Sequence, residues 1–226
     1  MAATAEKMLA TAEKHSVHTA PVAGVEEHAA RAALYGVLSH LFFSAPSPNF
    51  LQQIAPSRDA IADDASPLAL AWHELCDAAG RADATAVRGE FDTVFVSPGK
   101  PPVSLYASSY MAGRLRGQLL AELRDELARM GYARAEESTE YEDHLSALCD
   151  VMRGLIVDEN ADENADEQDP AAAFAAQQVF FRDYLAPWFN KVCAAINDSG
   201  QTAFYRPVAA FAHAFFINES EYFELA

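Results

Sequence analysis

The chain has 226 residues, of which 51% are hydrophobic, 11% aromatic and 22% charged. That supplies a large domain with a true core and excludes a disordered polymer. Thirty-three Asp and Glu against 16 Lys and Arg give a net charge of −17, which repels phosphate backbones and anionic lipid and argues against nucleic-acid or membrane-surface partners.

Residues 1–24, rich in Ala, Thr, Glu, Lys and His, read as a flexible tail. They lack an apolar h-region and an Arg-Arg pair, so neither a secretory nor a twin-arginine leader is expected. No run of about 18 apolar residues occurs, so no membrane insertion is expected and the cytoplasm is the expected location. Cys76, Cys149 and Cys193 are scattered and form no CxxC pair, which suits a reducing compartment.

From 25 to 226 the pattern is helical throughout. Over 26–43, Ala30, Leu34, Val37, Leu38, Leu41 and Phe42 recur at steps of three and four, one face of a helix, and Pro46 and Pro48 stop it. Ser47-Pro48 and Ser66-Pro67 each read as an N-cap followed by proline in the first helical position. The helix opened by Ser66 carries Leu68, Leu70, Trp72, Leu75 and Cys76 toward a C-terminal Gly80. Asp83 caps the next, whose stripe is Val87, Phe91, Val94 and Phe95. Three prolines and a glycine make 97–102 a loop. A helix is predicted over 109–130, with Leu115, Leu119, Leu123 and Leu127 in phase and Gly131 ending it.

Thr139 and Glu142 have capping-box spacing, which predicts a helix opening at 139 with a stripe of Tyr141, Leu145, Leu148, Met152 and Leu155. On that helix Asp143 falls on the far side and reaches outward with His144, while Glu142 serves the cap. The acidic run 158–169 reads as a solvated loop. Asp169-Pro170 starts an aromatic-rich helix that Pro187 kinks or splits. Residues 197–200 turn into a last helix bearing Phe204, Tyr205, Val208, Phe211, Phe215 and Phe216. No segment alternates with period two, so the chain is read as all-α, a single compact multi-helix domain.

None of the seven histidines follows a Glu by three residues, which removes the di-iron bundle. His73-Glu74 has Asp77 where a zinc protease needs its second histidine. Val94 and Pro101 stand where a phosphate loop around Gly99-Lys100 needs Gly and Ser or Thr. Asp158, Asn160 and Asp162 imitate a calcium loop, but Glu163 occupies its glycine position. No G-x-S-x-G elbow occurs. No enzyme, cofactor or metal is expected. The alternative is a helical metal- or cofactor-dependent enzyme using scattered His and Cys side chains, and a generic interaction scaffold is a third reading.

Two segments remain, FDTVFVSPGKPPVSLYASSY over 91–110 and EYEDH over 140–144. The order FxxxFVxPGxPxVxxYxSxY, then ExxDH, then a Phe/Trp-rich helix and a final helix containing Phe-Tyr, resembles the TorD/DmsD/NarJ-type redox-enzyme maturation chaperones. The resemblance spans about 26–217. Tyr141 stands where that family often has Pro, and 158–169 looks like an insertion.

The resemblance implies an all-helical cytoplasmic chaperone, not an enzyme; monomer and homodimer both stay open, since helical bundles can exchange helices across a hinge loop. Its partner would be the precursor of a molybdenum-cofactor oxidoreductase, held through a twin-arginine signal peptide before cofactor insertion and export. The charge pattern is compatible, since an acidic surface beside apolar side chains complements a cationic and then apolar peptide. Glu142 and Asp143 are candidates to accept bidentate arginine bonds. Trp72, Phe91, Phe95, Pro98, Gly99, Pro102 and Tyr106 are candidates for apolar contact and loop shape, with Ser108 beside them. His144 is the candidate to orient the loop or bond peptide backbone. Helical spacing equally fits Trp72, Phe91 and Phe95 to the core.

Overall fold

A computed structural model describes residues 23–61, 65–111, 116–133, 140–161 and 170–225. Within them the chain forms nine α-helices: α1 (Ala23–Phe43), α2 (Pro48–Ile54), α3 (Pro67–Arg81), α4 (Ala84–Phe91), α5 (Arg116–Arg129), α6 (Leu145–Ala161), α7 (Pro170–Tyr184), α8 (Phe189–Asp198) and α9 (Tyr205–Leu225). Helix starts follow local chemistry. Ser47 Oγ accepts from Phe50 N, Ser66 Oγ from Ala69 N and the Asp83 carboxylate from Ala86 N, and Pro48 and Pro67 each stand at the start of their helix.

Several boundaries depart from expectation. Helix α3 continues past Gly80 to Arg81. Helix α4 ends at Phe91 and widens into a π-turn over Asp92–Val96, which keeps Val94 and Phe95 pointing inward. The helix expected from 109 is instead a short 3-10 turn, Ala107–Ser109, followed by α5 at Arg116; Leu115 lies outside the described residues. Gly131 does end α5, at φ 79°, with Tyr132 N bonding back to Leu127 O. Residues 158–161 of the acidic run belong to α6; 162–169 and the expected tail up to residue 22 lie outside the described residues. Pro187 splits its helix, since 185–188 form a turn between α7 and α8.

Helix α1 packs along α6, α6 against α7, and α9 against α3 and α8. An aromatic spine on α9 joins these layers. Tyr205 lies 4.9 Å from Phe95 and 5.8 Å from Phe91 between ring centroids, Phe211 lies 5.1 Å from Trp72, Phe215 meets Tyr35 edge-on at 4.8 Å, and Phe216 meets Phe189 at 5.4 Å. Such ring pairs add specificity to the apolar burial that drives the bundle together. The spine draws α1, α3, α4 and α8 onto one helix.

Candidate functional site

Of the two conspicuous sequence segments, 91–110 and 140–144, the backbone brings the end of the first, 104–110, against the second. Tyr106 and His144 form an isolated antiparallel bridge. Leu145 N donates to Leu105 O at 2.8 Å, and Ala107 N donates to Asp143 O at 2.9 Å. These lateral bonds take the place of helical ones, which is why α6 does not open at 139. Thr139 lies outside the described residues, and Glu142 is not the cap.

His144 caps α6 instead. Its Nδ1 accepts from Ser146 N at 3.2 Å and sits 2.8 Å from Ser146 Oγ. An amide donor at Nδ1 fixes that nitrogen as the acceptor, so the neutral ring carries its proton on Nε2. Burial pulls the His144 pKa below the ordinary value, against the opposing charges of Glu140 and Asp143. The ring is closed over by Tyr106, edge-on at 5.0 Å.

Asp143 also differs from expectation. It does not reach outward but is 0% exposed. Its Oδ2 accepts from Ser108 N at 3.0 Å, at the 3-10 turn. Its Oδ1 is the buried side-chain polar atom that has no hydrogen-bond partner among the described residues. A buried carboxylate oxygen without a donor carries a desolvation cost that no hydrogen bond at that atom offsets. Around it, the Tyr106 hydroxyl donates to Glu140 and Tyr141 stands exposed. Glu142 takes a bidentate bond from Arg124 of α5, Nε to Oε1 at 2.9 Å and Nη2 to Oε2 at 3.0 Å. On the other wall Ser104 and Ser109 hydroxyls pair at 2.6 Å, and Tyr110 stacks on Trp188 at 5.6 Å.

Tyr106, Ser108, Glu142, Asp143 and His144 are thus brought into one seam. Pro98, Gly99 and Pro102 are exposed on the loop leading to it, where Gly99 at φ 90° takes a conformation that favours glycine. Trp72, Phe91 and Phe95 are core side chains, not walls of an open groove. Trp72 donates its indole N–H to Ser57 O at 2.9 Å, and Phe91 and Phe95 pack on Tyr205. Glu140 and Arg124 escaped the sequence reading. Glu140 was visible in the EYEDH string, but nothing in the sequence pairs Arg124 with a residue 18 positions on.

The three cysteines are free and buried, and burial pushes the Cys193 thiol up to about 12. Among the described residues no three His, Cys, Asp or Glu side chains gather into a set that could hold a metal ion, and no helix is long and apolar enough to cross a membrane.

Comparison with known proteins bears on the family and the fold. Residues 61–194 match the family described as nitrate reductase delta subunit. The crystal structure of an Archaeoglobus fulgidus protein assigned as a redox enzyme maturation protein superposes with a TM-score of 0.51 at 17% identity, covering 92% of this chain and 99% of that one. At that identity the likeness concerns the fold. A comparison with curated proteins gives no match. The all-α bundle and the family match together define the class, the redox-enzyme maturation chaperones. Within it, the chain belongs to the nitrate reductase delta subunit family, which is of the NarJ/TorD type.

Proposed function

We propose that this protein is a cytoplasmic binding protein for the precursor of a molybdenum-cofactor oxidoreductase. It engages the twin-arginine signal peptide at the seam between 104–110 and 140–144 and keeps the precursor competent for cofactor insertion before export. The observation that carries the reading is the unpartnered Oδ1 of Asp143. Native structures rarely leave a buried carboxylate oxygen without a donor, and each such atom calls for a partner, whether a ligand, an ion or a bound water. A guanidinium supplies a planar pair of N–H donors that suits a carboxylate.

The surroundings support the same partner. Glu140, Glu142 and Asp143 lie in five consecutive residues, and the chain as a whole carries −17. Both features favour association with a cationic n-region. Exposed Tyr141 and half-buried Tyr106 offer aromatic surface beside the carboxylates for the apolar part that follows. Because Asp143 is fully buried, an incoming arginine reaches Oδ1 only when part of the seam opens.

Calorimetric titration tests this with twin-arginine peptides from molybdoenzyme precursors of the same source, a Lys-Lys variant and a scrambled peptide of equal charge. Saturable binding to one arginine peptide, weakened in the Lys-Lys form, is expected. Heat that is the same for the scrambled peptide would reduce the effect to bulk charge attraction, and absence of binding to peptides and to a full precursor would remove the proposed function.

A further inference from the structure

The Arg124–Glu142 pair has the geometry of the contact proposed for the client. It is bidentate, with Nε on Oε1 at 2.9 Å and Nη2 on Oε2 at 3.0 Å. The two side chains differ in environment: Glu142 keeps 8% of its side-chain surface and Arg124 keeps 50%. The carboxylate is therefore fixed within the seam while the guanidinium approaches it from solvent. It comes from a different element, α5, whose apolar side is seated by Leu119, Leu123 and Leu127. Asp143 adds its charge to the field around the same guanidinium.

We infer that Arg124 is an internal competitor that occupies Glu142 in the free protein and must be displaced before a client arginine can bind there. The inference rests on the client reading above and deepens it by assigning a regulatory residue outside both sequence motifs. An arginine, unlike a lysine, occupies both carboxylate oxygens at once, so the free protein presents no vacant carboxylate at Glu142 to passing cations. The half-exposed guanidinium keeps the contact weak enough to exchange. Displaced, Arg124 needs no new protein partner because its charge is already half in water.

Competition of this kind has a quantitative signature. An intramolecular ligand that closes the site with equilibrium constant K lowers every affinity for that site by the same factor of one plus K. Ion pairs with this exposure have K of order unity to five, so relief of competition tightens binding roughly two- to six-fold. The same factor applies to arginine and lysine peptides, provided both need Glu142.

The experiment titrates wild type, Arg124→Gln, Glu142→Gln and the double variant with the twin-arginine peptide, its Lys-Lys form and a peptide with both cations replaced by Gln. Expected is a gain of roughly two- to six-fold for Arg124→Gln with both cationic peptides, no gain with the uncharged one, and no effect of Arg124→Gln in the Glu142→Gln background. Wild type that binds the twin-arginine peptide while Arg124→Gln binds it equally or more weakly would overturn the competitor and leave the client reading standing. An equal gain in the absence of Glu142 would reassign Arg124 to general charge repulsion. Lack of binding by every variant removes both. Far-ultraviolet circular dichroism and thermal unfolding of each variant separate these outcomes from loss of α5, and a Leu123→Ala variant reports what loss of α5 seating does on its own.

Discussion

Arg31 and Glu219, 188 positions apart, meet in a buried bidentate ion pair that fastens α1 to α9. Both contacts are 2.8 Å, and the side chains keep 6% and 0% of their surface. Burial pulls the Arg31 pKa down, but the hydrogen bond and charge of Glu219 outweigh it and the net shift is upward. Tyr35 donates to Glu219 at 2.9 Å, Gln177 Oε1 accepts from Arg31 at 3.3 Å, and the guanidinium lies 4.1 Å from the Tyr222 ring centroid. Removing one partner strands the other charge in the interior. Arg31→Met or Glu219→Gln is therefore expected to lower unfolding free energy by about 3–5 kcal/mol, whereas the paired Arg31→Met, Glu219→Leu exchange costs much less. Urea unfolding of the three variants checks this; a double variant as unstable as the singles would mean that the ion pair supplies more than mutual neutralisation.

Glu90 serves the other end of α9. Its Oε2 accepts from Phe204 N at 3.0 Å and its Oε1 from Tyr205 N at 2.7 Å, so a side chain from α4 caps a helix 115 positions away. A carboxylate there satisfies otherwise orphaned amides and meets the positive end of the helix dipole. Glu90→Ala is expected to cost about 1–2 kcal/mol in chemical denaturation, and Glu90→Gln less. An unaltered midpoint for Glu90→Ala would show that water replaces the cap without loss.

Local signals were legible where the physics is local. Ser47-Pro48, Ser66-Pro67 and Asp83 start helices where the sequence predicts them, and Pro187 breaks one. The stripe of α1 was only half legible. Leu38, Leu41 and Phe42 are buried, but so is Arg31, while Ala30 faces solvent. No pattern of apolar spacing places an arginine inside, because its burial depends on a glutamate at the far end of the chain. The 140–144 segment failed for a related reason. Its capping-box spacing describes a helix in isolation, whereas its backbone bonds to Leu105 and Ala107 and moves the cap to His144. The motif residues themselves, Tyr106, Ser108, Asp143 and His144, were legible as a set because the resemblance groups them. The burial of Asp143 and the Arg124 contact were not, since both are products of tertiary pairing.

Asp143 separates charge from shape in the seam. In Asp143→Asn the side-chain oxygen can still accept from Ser108 N, so the fold is expected to hold. The negative charge is lost, and with it a hydrogen bond to a charged donor of about 1.5–3 kcal/mol, or roughly tenfold or more in affinity for the twin-arginine peptide. Asp143→Ala also leaves Ser108 N without its acceptor and is expected to destabilise by about 1–3 kcal/mol. Calorimetric titration and thermal unfolding on the same samples distinguish the two. Full affinity in a stable Asp143→Asn variant would assign the carboxylate to the fold alone.

His144 predicts a pH dependence whose sign follows from its downward shift. Its folded-state pKa lies below the ordinary value of 6.5, chiefly because the ring is buried. Between the two values the unfolded chain binds more protons than the folded one, so stability rises with pH there. The contribution is complete above about 6.5 and is lost progressively as pH falls through the depressed folded value. Protonation also turns Nδ1 from acceptor into donor, which breaks its bond from Ser146 N and uncaps α6. Asn is a good N-cap and does not titrate, so His144→Asn keeps the capping function without the switch. Wild type is expected to lose stability relative to His144→Asn as pH falls below 6.5, with Glu140, Asp143 and Tyr106 unchanged in both proteins. Denaturation midpoints measured for both at pH steps from about 7.5 to 5 give the difference directly. Parallel profiles would mean that the ring takes up its proton at the same pH folded and unfolded, so that neither its burial nor its cap distinguishes the two protonation states.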